Sequence, residues 1–381
     1  MWQILPFFVI PKTVMSRAKL VRTIRLYLRE IDTTLLVSVL IFLAVSIINM
    51  YGVAGTDSAL FTKQVIYVII GFFVMTVFSF FNYRYLKNYS LPVLGLYIAS
   101  LILLGLTFYS QSIRGTNSWL ILGDLTFEPA ELTKLFLIIL MAKYFSQKHV
   151  HIYQFSHIVA SVFYFIIPAA LIINQPDLGS TIILSLIWGS LLLSAGISRK
   201  HLLLLVLITA IVACGAWVAV LKPYQKTRIL SFLDQSGDPL GSGYNLNQSK
   251  IAIGSGFWLG NGLGNGSQTN LGFLPEPHND FIFAAFAEQF GFLGIVLLLG
   301  LSVLLVYRIL MVGLTTTSNF GKLFSVGLAV FIFSHVFVSA GVNVGLLPVT
   351  GLPFPFLSSG GSNLVSIMAG LGILQSIKRF G

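Results

Sequence analysis

Charge is the scarcest property of this 381-residue chain. Only 9% of the residues are charged, against about 25% in an average soluble domain, whereas 56% are hydrophobic. A water-soluble core would not bury so large an apolar fraction. Because no long polar interruption separates the apolar segments between residues 33 and 377, the sequence predicts one continuous transmembrane body without a separate soluble domain.

Cysteine and several common motifs are also scarce. The only cysteine, Cys214, lies in an apolar stretch, so the chain has no internal disulfide and no cysteine-based metal site. The glycines between 254 and 266 lack the G-x-G-x-x-G spacing and follow no predicted strand, which excludes that nucleotide-binding fold. The basic opening lacks the order and cleavage site of a signal peptide, so we expect residues 1–32 to form a retained cytoplasmic tail against anionic lipid.

Ten apolar windows approach the roughly 20 residues that a helix needs to cross the hydrocarbon core. They lie near 33–52, 65–81, 91–109, 130–145, 157–173, 178–195, 201–221, 280–307, 323–344 and 361–377. The predicted fold is an all-α polytopic membrane protein. Helices 1–7 occupy 33–221, a large loop occupies 222–279, and helices 8–10 with a short tail occupy 280–381.

Basic residues predict the orientation of these spans. With the N-terminus in the cytoplasm, 16 of the 23 Lys and Arg residues fall on cytoplasmic connections, as the positive-inside rule requires. The C-terminus is then also cytoplasmic, and the 222–279 loop lies outside. Nine of the 12 acids fall on the outer side, so we expect the chemistry there. Most of the net charge of +11 is a topogenic signal and is poor evidence for nucleic acid binding.

An acidic cluster stands at the start of the eighth span, in "FLPEPHNDFIFAAFAEQFGFLG". Glu276, His278 and Asp280 fall within five positions. A partly desolvated carboxylate at a membrane lip has a raised pKa and accepts protons better at neutral pH, so Asp280 suits a general base. The alternative is that Asn279 or Asp280 caps the N-terminus of the helix.

A second cluster lies in "FEPAELTK", where Glu128, Glu131 and Lys134 recur every three residues. If a helix starts at Pro129, they share one face at its outer end, where an ion pair is costly and seldom placed without use. The alternative is an ordinary helix start, with acids near the positive dipole end and a lysine that snorkels outward.

Two outer loops offer groups for an anion. Arg114 either clamps a phosphate through its planar guanidinium or anchors in the membrane interface. The segment "PVTGLPFPFLSSGGSN" either presents backbone amides as an anion cradle, from Ser358, Ser359, Gly360, Gly361 and Ser362, or forms a plain re-entrant turn.

Other polar residues have simpler explanations. Asp177, in "NQPDLGS", is explained by an N-cap at the sixth span. Glu288, two turns into the eighth span, is either functional or a structural hydrogen-bond partner. His149, His151 and His157 are predicted to be solvated loop residues and not a metal site.

Seven motifs in this order resemble the SEDS family of shape, elongation, division and sporulation proteins. They are "RGTNSWLILG" with "FEPAELTK", "QPDLGS", "PYQKTRILSFLD", "YNLNQSKIAIGSGFWLG", "FLPEPHNDFIFAAFAEQFG" and "PVTGLPFPFLSSGGSN". The resemblance covers nearly the whole chain. "PVTGLP" and the basic tail favour the RodA-type elongation branch over the FtsW-type division branch.

The resemblance implies a peptidoglycan glycosyltransferase of the bacterial cytoplasmic (inner) membrane, which polymerises lipid II into glycan strands at the outer face. It implies a class B penicillin-binding protein as transpeptidase partner, together with other membrane proteins of the elongation complex. No cofactor is expected. A divalent cation could assist the leaving group, but no ligand set is evident.

The resemblance also assigns residues. The family's essential aspartate corresponds to Asp280, and its paired acid and lysine to Glu131 and Lys134. The resemblance assigns Arg114 and Asp177 as well, and the predicted substrate-binding residues are these two together with Arg228, His278, Ser358, Ser359 and Gly360. The chain departs from the family at Ser359, where a tyrosine is common, and at Gln289, where a second acid is common.

Two other function classes fit part of the sequence. Charged groups in spans and helices broken by the prolines of 348–355 are also typical of a lipid II flippase or transporter, for which polar residues are expected at several depths. A noncatalytic scaffold for cell-wall enzymes would tolerate replacement of the loop acids.

Overall fold

The structure is a computed structural model that describes residues 30–55, 58–110, 118–122, 125–148, 155–198, 200–205, 207, 215 and 242–381. Its helices are α1 (Thr33–Ala54), α2 (Ser58–Phe80), α3 (Arg84–Asn88), α4 (Ser90–Leu106), α5 (Pro129–Lys148), α6 (Phe155–Asn174), α7 (Leu178–Ser194), α8 (Ser242–Ser255), α9 (Ser267–Asn270), α10 (Ile282–Thr315), α11 (Asn319–Val344) and α12 (Gly361–Phe380). A two-stranded antiparallel hairpin, β1 (Leu120–Leu122) and β2 (Leu125–Phe127), precedes α5 and pairs Leu120 with Phe127.

Nine of the ten predicted windows fall on helices, and the window 201–221 lies mostly outside the described residues. Within the described ranges, six helices are long and apolar enough to cross a membrane, namely α1, α2, α4, α6, α10 and α11. Helix α7 is apolar but shorter. The protein is therefore a multi-pass membrane protein, while the count of ten spans and their orientation stay predictions.

The helices at the centre of the bundle differ in composition from those at its edge. Helix α11 has 72% of its most apolar window buried, whereas α2 has 22%. Helices α5 and α12 are buried along most of their length as well. Because these two helices contact protein on nearly all sides, they do not need an apolar surface for lipid. This explains how α5 can carry charged residues and α12 many small ones.

The two ends of the bundle carry opposite charges. Glu128 and Asp177 directly precede the starts of α5 and α7, and Asp280 lies two residues before α10; we call this end the acidic end. Arg308 and Arg379 lie near the other ends of α10 and α12, at what we call the basic end. The positive-inside rule predicts that the acidic end faces outward.

Asp32 ties three helices together at the basic end. Its carboxylate caps α1 by accepting from the Leu35 amide at 2.9 Å, and Arg308 of α10 binds it at 2.5 and 3.3 Å. Gln375 of α12 accepts from the Asp32 amide at 2.8 Å and donates to its carbonyl at 3.1 Å. A single aspartate thus fixes where α1 begins relative to α10 and α12.

We predict that Arg308→Met destabilises the protein by roughly 2 kcal/mol, because the Asp32 carboxylate is almost fully buried and would lose its cation. Arg379→Met is the matched control. Its partner Glu30 has 46% of its side chain exposed, so the cost should stay below about 1 kcal/mol. Thermal unfolding in detergent measures both variants, and equal shifts in the midpoint would contradict the role of Asp32.

Candidate active site

Several helices begin at the acidic end. Helices α5, α7, α10 and α12 all have their N-termini there, and the starts of α5 and α12 are joined by a 2.8 Å hydrogen bond from the Glu128 amide to Ser362 Oγ. Each helix N-terminus carries a partial positive charge of about half an electron. The acids of this end therefore lie in a field that favours anionic groups.

The predicted pair of Glu131 and Lys134 is present and entirely buried. Helix α5 starts at Pro129, as the spacing argument required, and Lys134 Nζ lies 2.8 Å from Glu131 Oε1 with both side chains at 0% exposure. The alternative of a lysine that snorkels outward is therefore wrong. The second carboxylate oxygen of Glu131 accepts from Asn363 Nδ2 of α12 at 2.9 Å.

His335 of α11 completes this network. Its Nε2 lies 3.2 Å from Lys134 Nζ, and its Nδ1 lies 3.2 Å from the carbonyl oxygen of Pro353. A carbonyl only accepts, so the hydrogen-bond network assigns the proton to Nδ1 and leaves Nε2 to accept from Lys134. This neutral tautomer forms no ion pair with Glu131, 3.7 Å away. The network connects α5, α11, α12 and the 348–355 loop.

Asp280 does not cap α10. The N-cap residue is Phe281, whose side chain makes no capping hydrogen bond, and the Ala284 amide instead donates to Asn343 Oδ1 of α11 at 3.0 Å. Asn343 Nδ2 also donates to the Asp280 carbonyl at 2.9 Å. The capping alternative is thus wrong for both Asn279 and Asp280, and Asp280 is a partly exposed residue.

Asp177 and Asp280 both lie near Glu128. Asp177 caps α7 by accepting from the Ser180 amide at 2.9 Å, which confirms the simpler explanation of this residue. Burial raises the pKa of Glu128 well above its usual value, and the carboxylates of Glu131, Asp177 and Asp280 raise it further, against an opposing effect of Lys134. Glu128 is therefore close enough to all four groups to be coupled to them electrostatically.

Two loops at the acidic end are joined by hydrogen bonds. The Ser359 amide donates to the His278 carbonyl at 3.0 Å, Ser358 Oγ donates to the Asn279 carbonyl at 3.0 Å, and Ser359 Oγ donates to Asn279 Oδ1. The amide of Ser358 donates to Phe354. Because the amides of Ser358 and Ser359 are engaged within the protein, the geometry favours a structural turn over an open anion cradle. Substrate contacts from Ser358, Ser359, Gly360 and His278 stay predictions.

Phe356 holds the same loop in a strained conformation. Its φ of 67° is unusual for a bulky residue, and its buried ring stacks on Phe42 at 4.8 Å. Ser46 Oγ and Gln64 Nε2 donate to its carbonyl at 2.6 and 3.3 Å. Helices α1 and α2 thus fix the loop that carries Pro353 and the serines.

A groove of about 640 Å³ opens beside this site. It is lined by Leu103, Leu106, Tyr109, Ser110, Leu120, Ile121 and Phe127. Since Phe127 directly precedes Glu128, one wall of the groove lies next to the start of α5.

Some predicted residues lie outside the described part of the chain, and others were missed. Arg114 and Arg228 are outside the described residues. Sequence reasoning missed His335, Asn343 and Asn363. The available signal was an ionisable or amide side chain inside an apolar run such as "FIFSHVFVS". In the described ranges, no group of three or more His, Cys, Asp or Glu side chains is placed to hold a metal ion.

The chain matches a known family over almost its whole length. The family of cell cycle proteins comprising FtsW, RodA and SpoVE matches residues 25–381. The peptidoglycan glycosyltransferase MrdB of Escherichia coli K12 is 35% identical over 348 residues, which cover 91% of this chain and 93% of the relative. The probable peptidoglycan glycosyltransferase FtsW of Nitrosomonas europaea is 33% identical, with 91% and 92% covered.

Solved structures show the same fold. A chain from a structure on the coordination of polymerization and crosslinking by a peptidoglycan synthase complex superposes with a TM-score of 0.79 at 30% identity, over 92% of this chain and 98% of that one. The rod shape determining protein RodA of Thermus thermophilus gives a TM-score of 0.67 at 27% identity, over 92% and 97% of the chains.

We predict that Lys134→Met costs roughly 3–5 kcal/mol of stability, because it leaves the Glu131 carboxylate buried without its cation. The double variant Glu131→Gln/Lys134→Met should recover much of this loss, since both charges are then absent. Thermal unfolding of the single and double variants measures the coupling. Additive losses would show that the pair does not act as a unit.

The raised pKa of Glu128 predicts that the stability of the protein depends on pH. Glu128 has a raised pKa in the folded state, so its contribution to stability is full below the ordinary glutamate value of about 4.3 and is lost as the pH rises through the folded value. Glu128→Gln removes this titration, so the variant should lose less stability than the wild type as the pH rises. Unfolding midpoints measured across the pH range test this, and parallel curves would contradict it.

Proposed function

The chain belongs to the FtsW, RodA and SpoVE family of cell cycle proteins, and we propose that it is a peptidoglycan glycosyltransferase that polymerises lipid II, with Asp280 as general base. A peptidoglycan glycosyltransferase and a probable peptidoglycan glycosyltransferase match this chain over nine-tenths of both sequences. The observation that carries the role of Asp280 is its position at the start of α10, where the residue is partly exposed and acts electrostatically on the buried Glu128.

The proposed reaction is a single inverting displacement. The Asp280 carboxylate takes the proton from the 4-hydroxyl of the acceptor sugar, and that oxygen attacks the anomeric carbon of the lipid-linked donor. The bond between this carbon and the diphosphate oxygen breaks, and undecaprenyl diphosphate leaves with the electron pair. A positioned base of this kind contributes about 10²–10⁴-fold to the rate.

The acidic end has features that suit an anionic leaving group. Several helix N-termini supply partial positive charge, Lys134 balances Glu131, and the raised pKa of Glu128 limits the negative charge beside Asp280. Because Lys134 is fully buried, it acts on the diphosphate through its field and not by contact. Direct contacts from Arg114 and Arg228, and assistance by a divalent cation, belong to the same proposal.

The lipid part of the substrate also has a place to bind. Phe127 lines the apolar groove and directly precedes Glu128, so a prenyl chain in the groove would hold its diphosphate near the N-terminus of α5. The sugars would then extend from the acidic end into the outer compartment.

Elongation of rod-shaped cells in the bacterial inner membrane is the proposed setting. A rod shape determining protein is among the solved structures with this fold. The similarity to a chain of a synthase complex that coordinates polymerization with crosslinking supports a penicillin-binding transpeptidase as partner. A division role, as for the FtsW relatives, is the alternative within the same reaction class.

We predict that Asp280→Asn lowers polymerisation by roughly 10²–10⁴-fold while the protein stays folded, since the amide cannot accept the proton. Glu30→Gln is the matched control, because Glu30 is exposed at the basic end and should leave the rate unchanged. Purified protein is reconstituted with lipid II, with and without a transpeptidase partner, and glycan length is measured on a gel.

Two outcomes would count against the proposal. Near-normal glycan chains from folded Asp280→Asn would remove Asp280 from the chemistry. Movement of lipid II across vesicle membranes by the wild-type protein, without any polymer, would favour a transporter.

A further inference from the structure

A long segment without charge precedes the site. Residues 251–275, which comprise the last turn of α8, the short helix α9 and the loops on either side of α9, contain no Asp, Glu, Lys, Arg or His. Loops that lie in water are usually rich in polar and charged residues. A stretch of 25 uncharged residues, with Phe, Trp, Leu and Ile among its glycines, is unusual for a segment surrounded by water.

Part of this stretch, which we call the glycine-rich loop (residues 256–266), replaces two backbone hydrogen bonds of α10. Helix α10 is interrupted at Gly291, with φ 65° and ψ −166°. In a regular helix the amides of Phe292 and Leu293 would donate to the carbonyls of Glu288 and Gln289. Here these two amides and two carbonyls form hydrogen bonds with the glycine-rich loop instead.

The exchange satisfies the backbone groups of both segments. The amides of residues 292 and 293 donate to the carbonyls of Phe257 and Trp258 at 2.8 and 3.1 Å. The carbonyls of residues 288 and 289 accept from the amides of Asn261 and Gly262 at 2.9 and 3.1 Å. Irregular backbone is tolerated at membrane depth only when its polar groups are satisfied in this way.

Glycine is required for the close approach of the two segments. A Cβ at Gly260, where φ is +82°, would lie 2.1 Å from the Gln289 carbonyl oxygen, and one at Gly256 would lie 2.2 Å from that of Ala287. Side chains at these positions would push the loop away from α10. Glycines in this loop therefore allow it to pack closely against α10.

The far end of the loop is anchored by Glu288. Its carboxylate accepts from the Gln268 amide at 2.7 Å, the Thr269 amide at 3.1 Å and Thr269 Oγ1 at 2.7 Å. Glu288 is thus a structural hydrogen-bond partner for the short helix α9, which is the second of the two roles that the sequence left open.

The tip of the loop presents large apolar side chains outward. Phe257, Trp258 and Leu259 are 79%, 73% and 76% exposed. The Trp258 ring contacts Phe292 edge to face at 5.3 Å, and Phe292 and Leu297 continue the exposed surface along α10. The loop surface is therefore continuous with the side of a helix that is apolar enough to span a membrane.

Two distances along the helices place the loop within the bilayer. Phe292 is 16 residues from Arg308, which binds Asp32 at the basic end, so the exchange lies about 24 Å above that pair. Helix α1 gives an independent value, because Gly52, in contact with Gln289, lies 20 residues or about 30 Å above Asp32. The hydrocarbon core is about 30 Å thick, so both values place the loop at the far edge of the apolar layer.

We propose that residues 256–266 form a re-entrant loop embedded in the bilayer leaflet nearer the acidic end, where Phe257, Trp258 and Leu259 contact lipid acyl chains. The occupant of this surface is lipid and not a protein, because the surface continues a lipid-facing helix, carries no charge and has a tryptophan at interfacial depth. The loop fixes the height in the bilayer of the first part of α10. Asp280 lies two residues before that helix.

The single native cysteine makes a direct test possible in the full chain. In a Cys214→Ala background, Leu259→Cys or, separately, Trp258→Cys is labelled with a nitroxide in liposomes of phosphatidylethanolamine and phosphatidylglycerol. Electron paramagnetic resonance then compares relaxation by oxygen, which partitions into lipid, with relaxation by a water-soluble nickel chelate. We expect the oxygen-to-nickel ratio at both positions to be several-fold higher than at a polar control.

The controls lie on the same elements. Ser267→Cys, a near-isosteric change at an exposed position of α9, should report water, and Val303→Cys on the exposed side of α10 should report lipid. A nickel response at 258 and 259 equal to that at 267 would overturn the proposal. Low access to both reagents would also overturn it, because it would mean that protein covers the surface. Neither result depends on glycosyltransferase activity.

Discussion

A lysine ammonium that is wholly buried among transmembrane helices must have its charge and its donors matched by neighbouring groups. At Lys134 this requirement falls on the Glu131 carboxylate at 2.8 Å and the acceptor nitrogen of His335 at 3.2 Å. The other atoms of these two side chains are bound in turn by Asn363 and the Pro353 carbonyl. One buried charge thus sets the relative positions of α5, α11, α12 and the 348–355 loop.

The loops at the acidic end are held in place by polar side chains of neighbouring helices. Asn343 of α11 is distant in sequence from α10, but its side chain caps that helix and also binds the Asp280 carbonyl. Ser46 and Gln64 hold the strained Phe356, and Glu288 anchors the loop that opens α10. Polar residues within the helices therefore position the loops, and the loops present the groups that face the substrate in the proposed reaction.

The sequence predicted the parts of the site that depend on neighbours along the chain. The start of α5 at Pro129 and the three-residue spacing placed Glu131 beside Lys134, and a short connection before an apolar run placed the cap at Asp177. Capping by Asn279 or Asp280 was a local expectation too, but it was wrong because a side chain from another helix occupies that place. His335 was missed for the same kind of reason. Its partners are Lys134 and Pro353, far apart in the sequence.

Hydropathy, charge and helix spacing are local properties, so the amino-acid sequence alone determined that this is a multi-pass helical membrane protein, that its acids gather at one end, and that an ion pair lies near the start of α5. Only the tertiary structure decided which groups meet across the bundle. The contact between Lys134 and His335 spans 201 positions, and the exchange of hydrogen bonds at Gly291 joins a helix to a loop from an earlier segment. Such contacts follow from packing in three dimensions, and no window of the sequence contains both partners.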